Sequence, residues 1–389
     1  MLTGFLKIIH YSLPPQVQII YMFLVNLARK LRCFILPVSI YTGREKSGGL
    51  PLKIACLGRD KKVYNYWTER LINEKKLIQS KKKVFAWSAY KYLSKNKEDH
   101  DLAIIEMNSL TTRFAKPDTG FVLPRWFEMQ LDFERAHSKM KKRGIIKTIK
   151  RYSITCEKKY SVGDLRYFYE RMYVPYITKR YEHSAIIPDF RYYLNLFRRK
   201  SSQLLFIKKD DEYVAGVLDE IKGGKIRISA AGILDGREDI MRMGISGAIY
   251  YFEMINYFEK GIKSANIGGS SPLLTDGLTQ FKLRIGGVAA DDKYLGDQAL
   301  WFTSFNNTEA IKNMLKTNPF IYKLKDGFYR AVFVDSEDYS DRKEFMRILN
   351  YSNCLNIKGT KIFCFRGEDL ISEWLKEPGC ENIDVVSFN

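Results

Sequence analysis

Between Lys225 and Gly287 the chain places glycines, polar turns and basic side chains at intervals suited to holding a phosphate. Lys225-Ile-Arg-Ile-Ser-Ala-Ala-Gly232 reads as a strand and Asp235-Gly-Arg-Glu-Asp239 as a polar turn. A long amphipathic helix follows, with Arg242, Gly244 and Gly247 in its opening turns. The first turn of a helix carries unsatisfied N–H groups and the positive end of the dipole, which together suit an anion. Arg242, Gly244 and Gly247 are therefore candidate ligands of a pyrophosphate. The same glycines equally suit a crossover helix that packs tightly, and spacing alone does not choose between the two.

The elements that must position this turn follow from periodicity. Met241, Ile245, Ala248, Phe252 and Ile255 recur at steps of four and three, so one face of the helix is expected to be buried. Ser264-Ala-Asn-Ile-Gly-Gly-Ser270 reads as the next strand, stopped by Pro272. Other chemistries are poorly served. Ser270 lies in Gly268-Gly-Ser-Ser-Pro272, which lacks the pattern of a hydrolase elbow, and no Walker loop is present. The four histidines form no cluster, and no metal site is expected.

The run from Asn266 to Gly286, with its Phe281-Lys282 pair followed by glycine, resembles the closing motif of the FemABX-like branch of the GNAT acyltransferase superfamily. The preceding strand and helix are similar to that superfamily's acyl-donor-binding strand and helix. Leu123-Pro-Arg-Trp126 with the basic stretch behind it, and Tyr169-Glu-Arg-Met-Tyr-Val-Pro-Tyr176, also resemble members of the group. One departure is visible: the superfamily's phosphate loop begins with Gln or Arg, and here Met241 stands in that place with Arg242 one step out of register.

The resemblance implies an α/β (α+β) protein with a GNAT-like mixed sheet flanked by helices. It implies an N-acyltransferase moving an acyl group from an acyl-CoA or acyl-carrier-protein thioester to an amine, with the donor as substrate and no tightly bound cofactor. Aminoacyl transfer from aminoacyl-tRNA to a peptide or lipid amine is the alternative within the family. A catalytically silent module binding an acidic partner is the alternative outside it. Acyl transfer requires a phosphate cradle, a gap for the donor arm, a base for the amine and an acid for the thiolate. Gly268, Gly269 and Ser270 mark the expected gap. Asp276 and Glu220 are the nearest carboxylates and hence candidate bases, Tyr250 or Tyr294 the candidate acid, and Lys282 a charge partner for a donor phosphate or carbonyl.

Composition agrees with a basic globular protein: 389 residues, 46% hydrophobic, 28% charged, net charge +20. Such a charge predicts an acidic partner, whether donor, carrier protein, tRNA or lipid. From Arg135 to Lys159 there are ten basic residues against one acidic, Glu157, read as a basic helix. Six cysteines without metal or redox spacing favour a reducing cytoplasm.

Four segments are expected: an apolar and basic N-terminal piece (1–48), an α/β subdomain (49–134), the GNAT-like domain (135–299) and a C-terminal α/β subdomain (300–389). In the first, Ile19-Ile-Tyr-Met-Phe-Leu-Val25 is far shorter than the roughly 20 apolar residues that span a bilayer. It is read as a helix docked on the protein's own surface, with a peripheral membrane contact through 16–36 as the other reading.

Overall fold

A computed structural model describes residues 15–116, 119–181, 187–198, 202–222, 225–290, 298–304, 306–351, 357–376, 380 and 382–388. Tyr294 and the Gly223-Gly224 turn lie outside them. In chain order the strands are β1 (Ile35–Glu45), β2 (Pro51–Leu57), β3 (Ile72–Phe85), β4 (Leu102–Asn108), β5 (Gly120–Pro124), β6 (Phe127–Asp132), β7 (Thr155–Lys159), β8 (Ser202–Lys209) and β9 (Glu212–Lys222). They continue with β10 (Lys225–Ile233), β11 (Ser264–Ser270), β12 (Gly287–Ala289), β13 (Gln298–Ser304), β14 (Phe320–Leu324), β15 (Gly327–Val334), β16 (Gly359–Cys364) and β17 (Ile383–Ser387). The fold is mixed α/β, as expected from the sequence.

The chain divides into two compact units. The first comprises Met1–Phe127, Ser271–Asp276 and Asp292–Asn389, the second Glu128–Ser270 and Gly277–Asp291.

In the first unit a six-stranded sheet runs β3-β1-β2-β4-β13-β5 and a four-stranded sheet β14-β15-β16-β17. Its central strands are apolar on both faces, as a sheet covered on both sides requires. Leu52, Ile54 and Cys56 of β2 and Leu102 and Ile104 of β4 pack with Val63, Trp67 and Leu71 of the helix Lys61–Leu71 and with Phe320 and Phe333 of the smaller sheet. The alternate residues Ala55, Leu57, Ala103 and Ile105 pack with Ala89 and Leu93 on the other face.

The strand that ends the expected GNAT-like segment and opens the C-terminal one pairs back into this sheet. β13 pairs antiparallel with both β4 and β5, Trp301 lying opposite Ile105 on one side and Val122 on the other. The segment after residue 298 thus completes a sheet begun by the N-terminal third, a long-range pairing that leaves no local mark in sequence.

In the second unit the sheet order is β12-β6-β11-β10-β9-β8-β7. β7, β8, β9 and β10 form an antiparallel meander, and the helix Ile245–Phe258 then crosses over so that β11 runs parallel to β10. The β8–β9 hairpin turns on Asp210 and Asp211, both at positive φ (48° and 64°), the backbone of a two-residue type I′ turn. The expected basic helix is in fact two helices, Phe133–Lys142 and Ile145–Arg151, followed by β7. Gly144, at φ 75°, breaks it.

Trp301 is fully buried and its indole N–H has no partner among the described residues. Trp301→Ala should therefore cost about 3–5 kcal/mol in urea denaturation, the usual range for emptying an aromatic site. Trp301→Phe should cost much less, since it leaves no polar group newly stranded.

Candidate functional site

The parallel pairing of β10 with β11 is short. It covers Ile226 opposite Ala265 and Arg227 opposite Asn266, whereas β10 runs on to Ile233 and β11 to Ser270. Beyond that point no ladder pair joins the two strands, although the Ile228 carbonyl still lies 3.6 Å from where a Cβ on Gly268 would stand. Two local features turn the backbone there. β10 carries a bulge against β9 between Ile228 and Ala230, which bends the strand. Gly268 of β11 sits at φ 78°, a conformation that favours glycine.

Strands that separate strand their own N–H and C=O groups, so partners must come from elsewhere. Side chains supply them. Asn266 Oδ1 accepts from the Gly268 N–H at 2.7 Å, and Lys282 Nζ donates to the carbonyls of Gly268 and Gly269, both at 3.0 Å. Asn266 Nδ2 in turn donates to Glu128, whose other oxygen accepts from Arg227 at 2.8 Å. Glu128 is buried on β6 while Arg227 remains half exposed, so the network runs from the interior to the mouth of the fork. Lys282 is 3% exposed: it braces the parted strand from the helix Gly277–Arg284.

Other expected site residues fall as follows. Glu220 of β9 lies directly across from Arg227, on the same sheet face. Tyr250 is buried on the crossover helix with its ring 5.4 Å from that of Phe281, the neighbour of Lys282. Ser270 ends β11 fully buried, its hydroxyl without a partner among the described residues. The structure thus joins Lys282 to Gly268 and Gly269, sets Tyr250 against the helix that carries Lys282, and places Glu220 across β10 at the last paired level. Asp276 belongs to the first unit, where its carboxylate accepts from Tyr66 at 3.0 Å and pairs with Arg70 at 3.1 Å.

The helix opening is not an open cradle. A Cβ at Gly247 would stand 3.1 Å from three carbons of Ile145, so this glycine is used for close helix packing. Gly244 caps the helix at φ 82°, and Arg242 reaches solvent beside Glu238 at 3.5 Å. Cations gather instead on the neighbouring helix, where Arg135, Lys139 and Arg143 recur at steps of four. Partial burial lowers the Lys139 pKa, and the nearby charges of Arg135 and Arg143 lower it further. No carboxylate among the described residues pairs with these three.

Behind the sheet lies a cluster that periodicity does not reveal. Asp219, next to Glu220 on β9, points to the opposite face. It accepts from the Gln203 N–H at 2.8 Å and from the Tyr257 hydroxyl. Glu253 of the crossover helix is buried beside it. Burial raises the Glu253 carboxyl pKa well above its usual range, and the Asp219 charge pushes the same way. Glu253 also explains why the buried stripe was misplaced. Ile249, Glu253 and Tyr257 face inward, while Phe252 and Ile255 are only partly buried.

Glu128, Arg227 and Asn266 were not singled out from sequence. Glu128 alternates with the buried Phe127 and Met129, and an acid in so apolar a strand was the available sign.

No protein-family model and no curated protein matches the chain. Among solved structures, FemX is 14% identical, covering 65% of this chain and 82% of its own, with TM-score 0.37. A GCN5-related N-acetyltransferase from Sphaerobacter thermophilus is 12% identical over 64% of this chain and 71% of its own, with TM-score 0.31. A tandem GNAT protein from the clavulanic acid biosynthesis pathway is 9% identical over 68% and 82%, with TM-score 0.29. At such TM-scores the likeness decides nothing about activity.

The buried acid pair makes stability depend on pH in a definite sense. In the unfolded chain Glu253 loses its proton near its ordinary value of 4.5, but in the folded chain it keeps the proton to higher pH. The folded state therefore binds more protons in that window, and stability falls as pH rises above about 4.5. Glu253→Gln should flatten this slope and raise the melting temperature at pH 8 relative to the unsubstituted protein, measured by calorimetry across pH.

Proposed function

We propose that the chain is an N-acyltransferase that takes an acyl group from a thioester donor, an acyl-CoA or acyl carrier protein, to an amine. The observation that carries the reading is the fork. Beyond Arg227 and Asn266 the register leaves the facing edges of β10 and β11 without a strand partner. Such edges suit the amide-bearing arm of a pantetheine thioester, which would add hydrogen bonds much as a short strand does. An unpaired N–H of β10 would then stabilise the oxygen of the tetrahedral intermediate.

In this reading the amine nitrogen attacks the thioester carbonyl and its proton passes to Glu220, which lies across β10 beside the last paired residue Arg227. The carbon–sulfur bond breaks and the departing thiolate takes a proton, with Tyr250 the candidate acid. Lys282 acts as a positioning residue that fixes β11 through two carbonyls. Arg135, Lys139 and Arg143 are assigned the donor's phosphates, because the helix opening at Gly247 is filled by Ile145.

A second reading, aminoacyl transfer from aminoacyl-tRNA, is favoured by the breadth of the basic surface. Lys141, Lys142, Lys147, Lys150 and Arg151 are all exposed beside that cluster, more cations than one pyrophosphate needs.

Isothermal titration with acetyl-CoA, longer acyl-CoAs, acyl carrier protein and aminoacyl-tRNA tests both readings. Tight binding of a thioester supports the first, binding of aminoacyl-tRNA alone supports the second, and binding of none overturns both. With the donor found, Glu220→Gln should leave its affinity unchanged while lowering kcat by about 10²-fold or more, the usual loss for a general base. An unaltered kcat would remove Glu220 from that role.

A further inference from the structure

The helix Pro15–Arg32 turns its apolar stripe away from the protein. Ile20, Phe23, Leu24, Leu27 and Leu31 recur at helical steps on one face, and Ile20, Phe23 and Leu24 are 61%, 64% and 55% exposed. In a helix read as docked on the protein's own surface, the apolar stripe is thus largely exposed, while Tyr21, Val25 and Lys30 are half buried. Its C-terminal end is nevertheless fixed, because Asn108 Nδ2 donates to the Lys30 carbonyl at 2.8 Å and β1 begins three residues after Arg32.

The stripe continues into surface aromatics. Ile35 opens β1 and lies opposite Phe85 of the edge strand β3; both are exposed. The Phe85 ring stacks on Trp87 at 4.5 Å, and Trp87, itself 55% exposed, sits 6.2 Å from Phe34. Exposed cations rim these residues: Arg32 at the helix end, Lys83 on β3, and Arg113 next to Phe114. Lys83 falls on the same face of β3 as Phe85.

We propose that this face docks on the surface of an anionic lipid bilayer, the helix lying in the interfacial plane. No helix among the described residues is long and apolar enough to cross a membrane. A one-sided apolar helix with a basic flank and neighbouring Trp and Phe is instead suited to the headgroup boundary. Charge decides against a second copy of the chain as the occupant. A two-fold interface would set the same rim of cations against itself, on a protein of net charge +20. Anionic headgroups neutralise that rim. The inference stands independently of the acyl-transfer reading, since every residue in it belongs to the first unit.

Co-sedimentation of the full chain with vesicles tests it. The protein should partition onto phosphatidylcholine vesicles containing about one third phosphatidylglycerol, less onto phosphatidylcholine alone, and less at high salt. Phe23→Asp with Leu27→Asp should lower partitioning by at least about tenfold, two exposed side chains no longer entering the bilayer. Its melting temperature should be unchanged. Lys83→Glu with Arg113→Glu should weaken binding to the anionic vesicles specifically. Absence of sedimentation with either vesicle overturns the proposal, as does undiminished sedimentation of the Phe23→Asp, Leu27→Asp variant. A dimer seen by light scattering that this variant dissociates, without vesicle binding, would assign the face to a second copy and overturn it equally.

Discussion

Two parallel strands cannot separate inside a protein unless something else satisfies the backbone they abandon. In the second unit that requirement falls on a few side chains at one level of the sheet. Lys282 takes two carbonyls, Asn266 takes an N–H, and Glu128 ties Asn266 to Arg227. An ammonium bound to two carbonyls is a charge-assisted bridge, stronger than the neutral ladder bonds it replaces. Its burial also makes it intolerant of change, because deleting the lysine would strand two carbonyls at about 1–3 kcal/mol each. The bulge on β10 and the left-handed backbone of Gly268 then follow as the local geometry by which the chain opens at this place.

Alternation along β9 distributes two acids to opposite environments. Glu220 is partly exposed on the face of Arg227, while Asp219 is enclosed with Glu253 and Tyr257. Asp219 thus stands where the crossover helix meets the meander, beside a Glu253 whose carboxyl is buried without a hydrogen-bond partner among the described residues. Such a pair contributes little net stability but fixes which face of the helix meets the sheet. An apolar substitute at Glu253 would permit the helix to roll toward Phe252 and Ile255.

That roll is the rotation periodicity predicts, and it shows where sequence reading stops. Strand, turn, crossover helix and the breaking strand after Gly268 were all legible, because each rests on neighbours within about four residues. The hairpin on Asp210 and Asp211 was legible for the same reason. Glu253 was not, since an acid on a helix face reads as solvent-exposed until its partner on β9 is known. Glu128 was missed likewise: its role depends on Arg227 and Asn266, some hundred residues away. The insertion of β13 between β4 and β5 is the same failure on the scale of a sheet. Lys282 was chosen through its motif, yet its surroundings, two carbonyls and almost no solvent, are a tertiary fact.

Closure of the helix opening has a consequence for how charge is used. With Ile145 against Gly247, the positive end of the crossover helix is covered by the helix Ile145–Arg151, whose own last turn carries Lys150 and Arg151. Helix dipoles act only over a turn or so, whereas a row of guanidinium and ammonium groups projects its field outward. The chain therefore keeps the glycines for packing and moves its cations to the adjacent surface, at Arg135, Lys139 and Arg143. A field presented from side chains is less selective for a compact pyrophosphate than a ring of backbone N–H groups, and more accommodating of an extended polyanion. The basic helices thus present a field broader than a single helix N-terminus could supply.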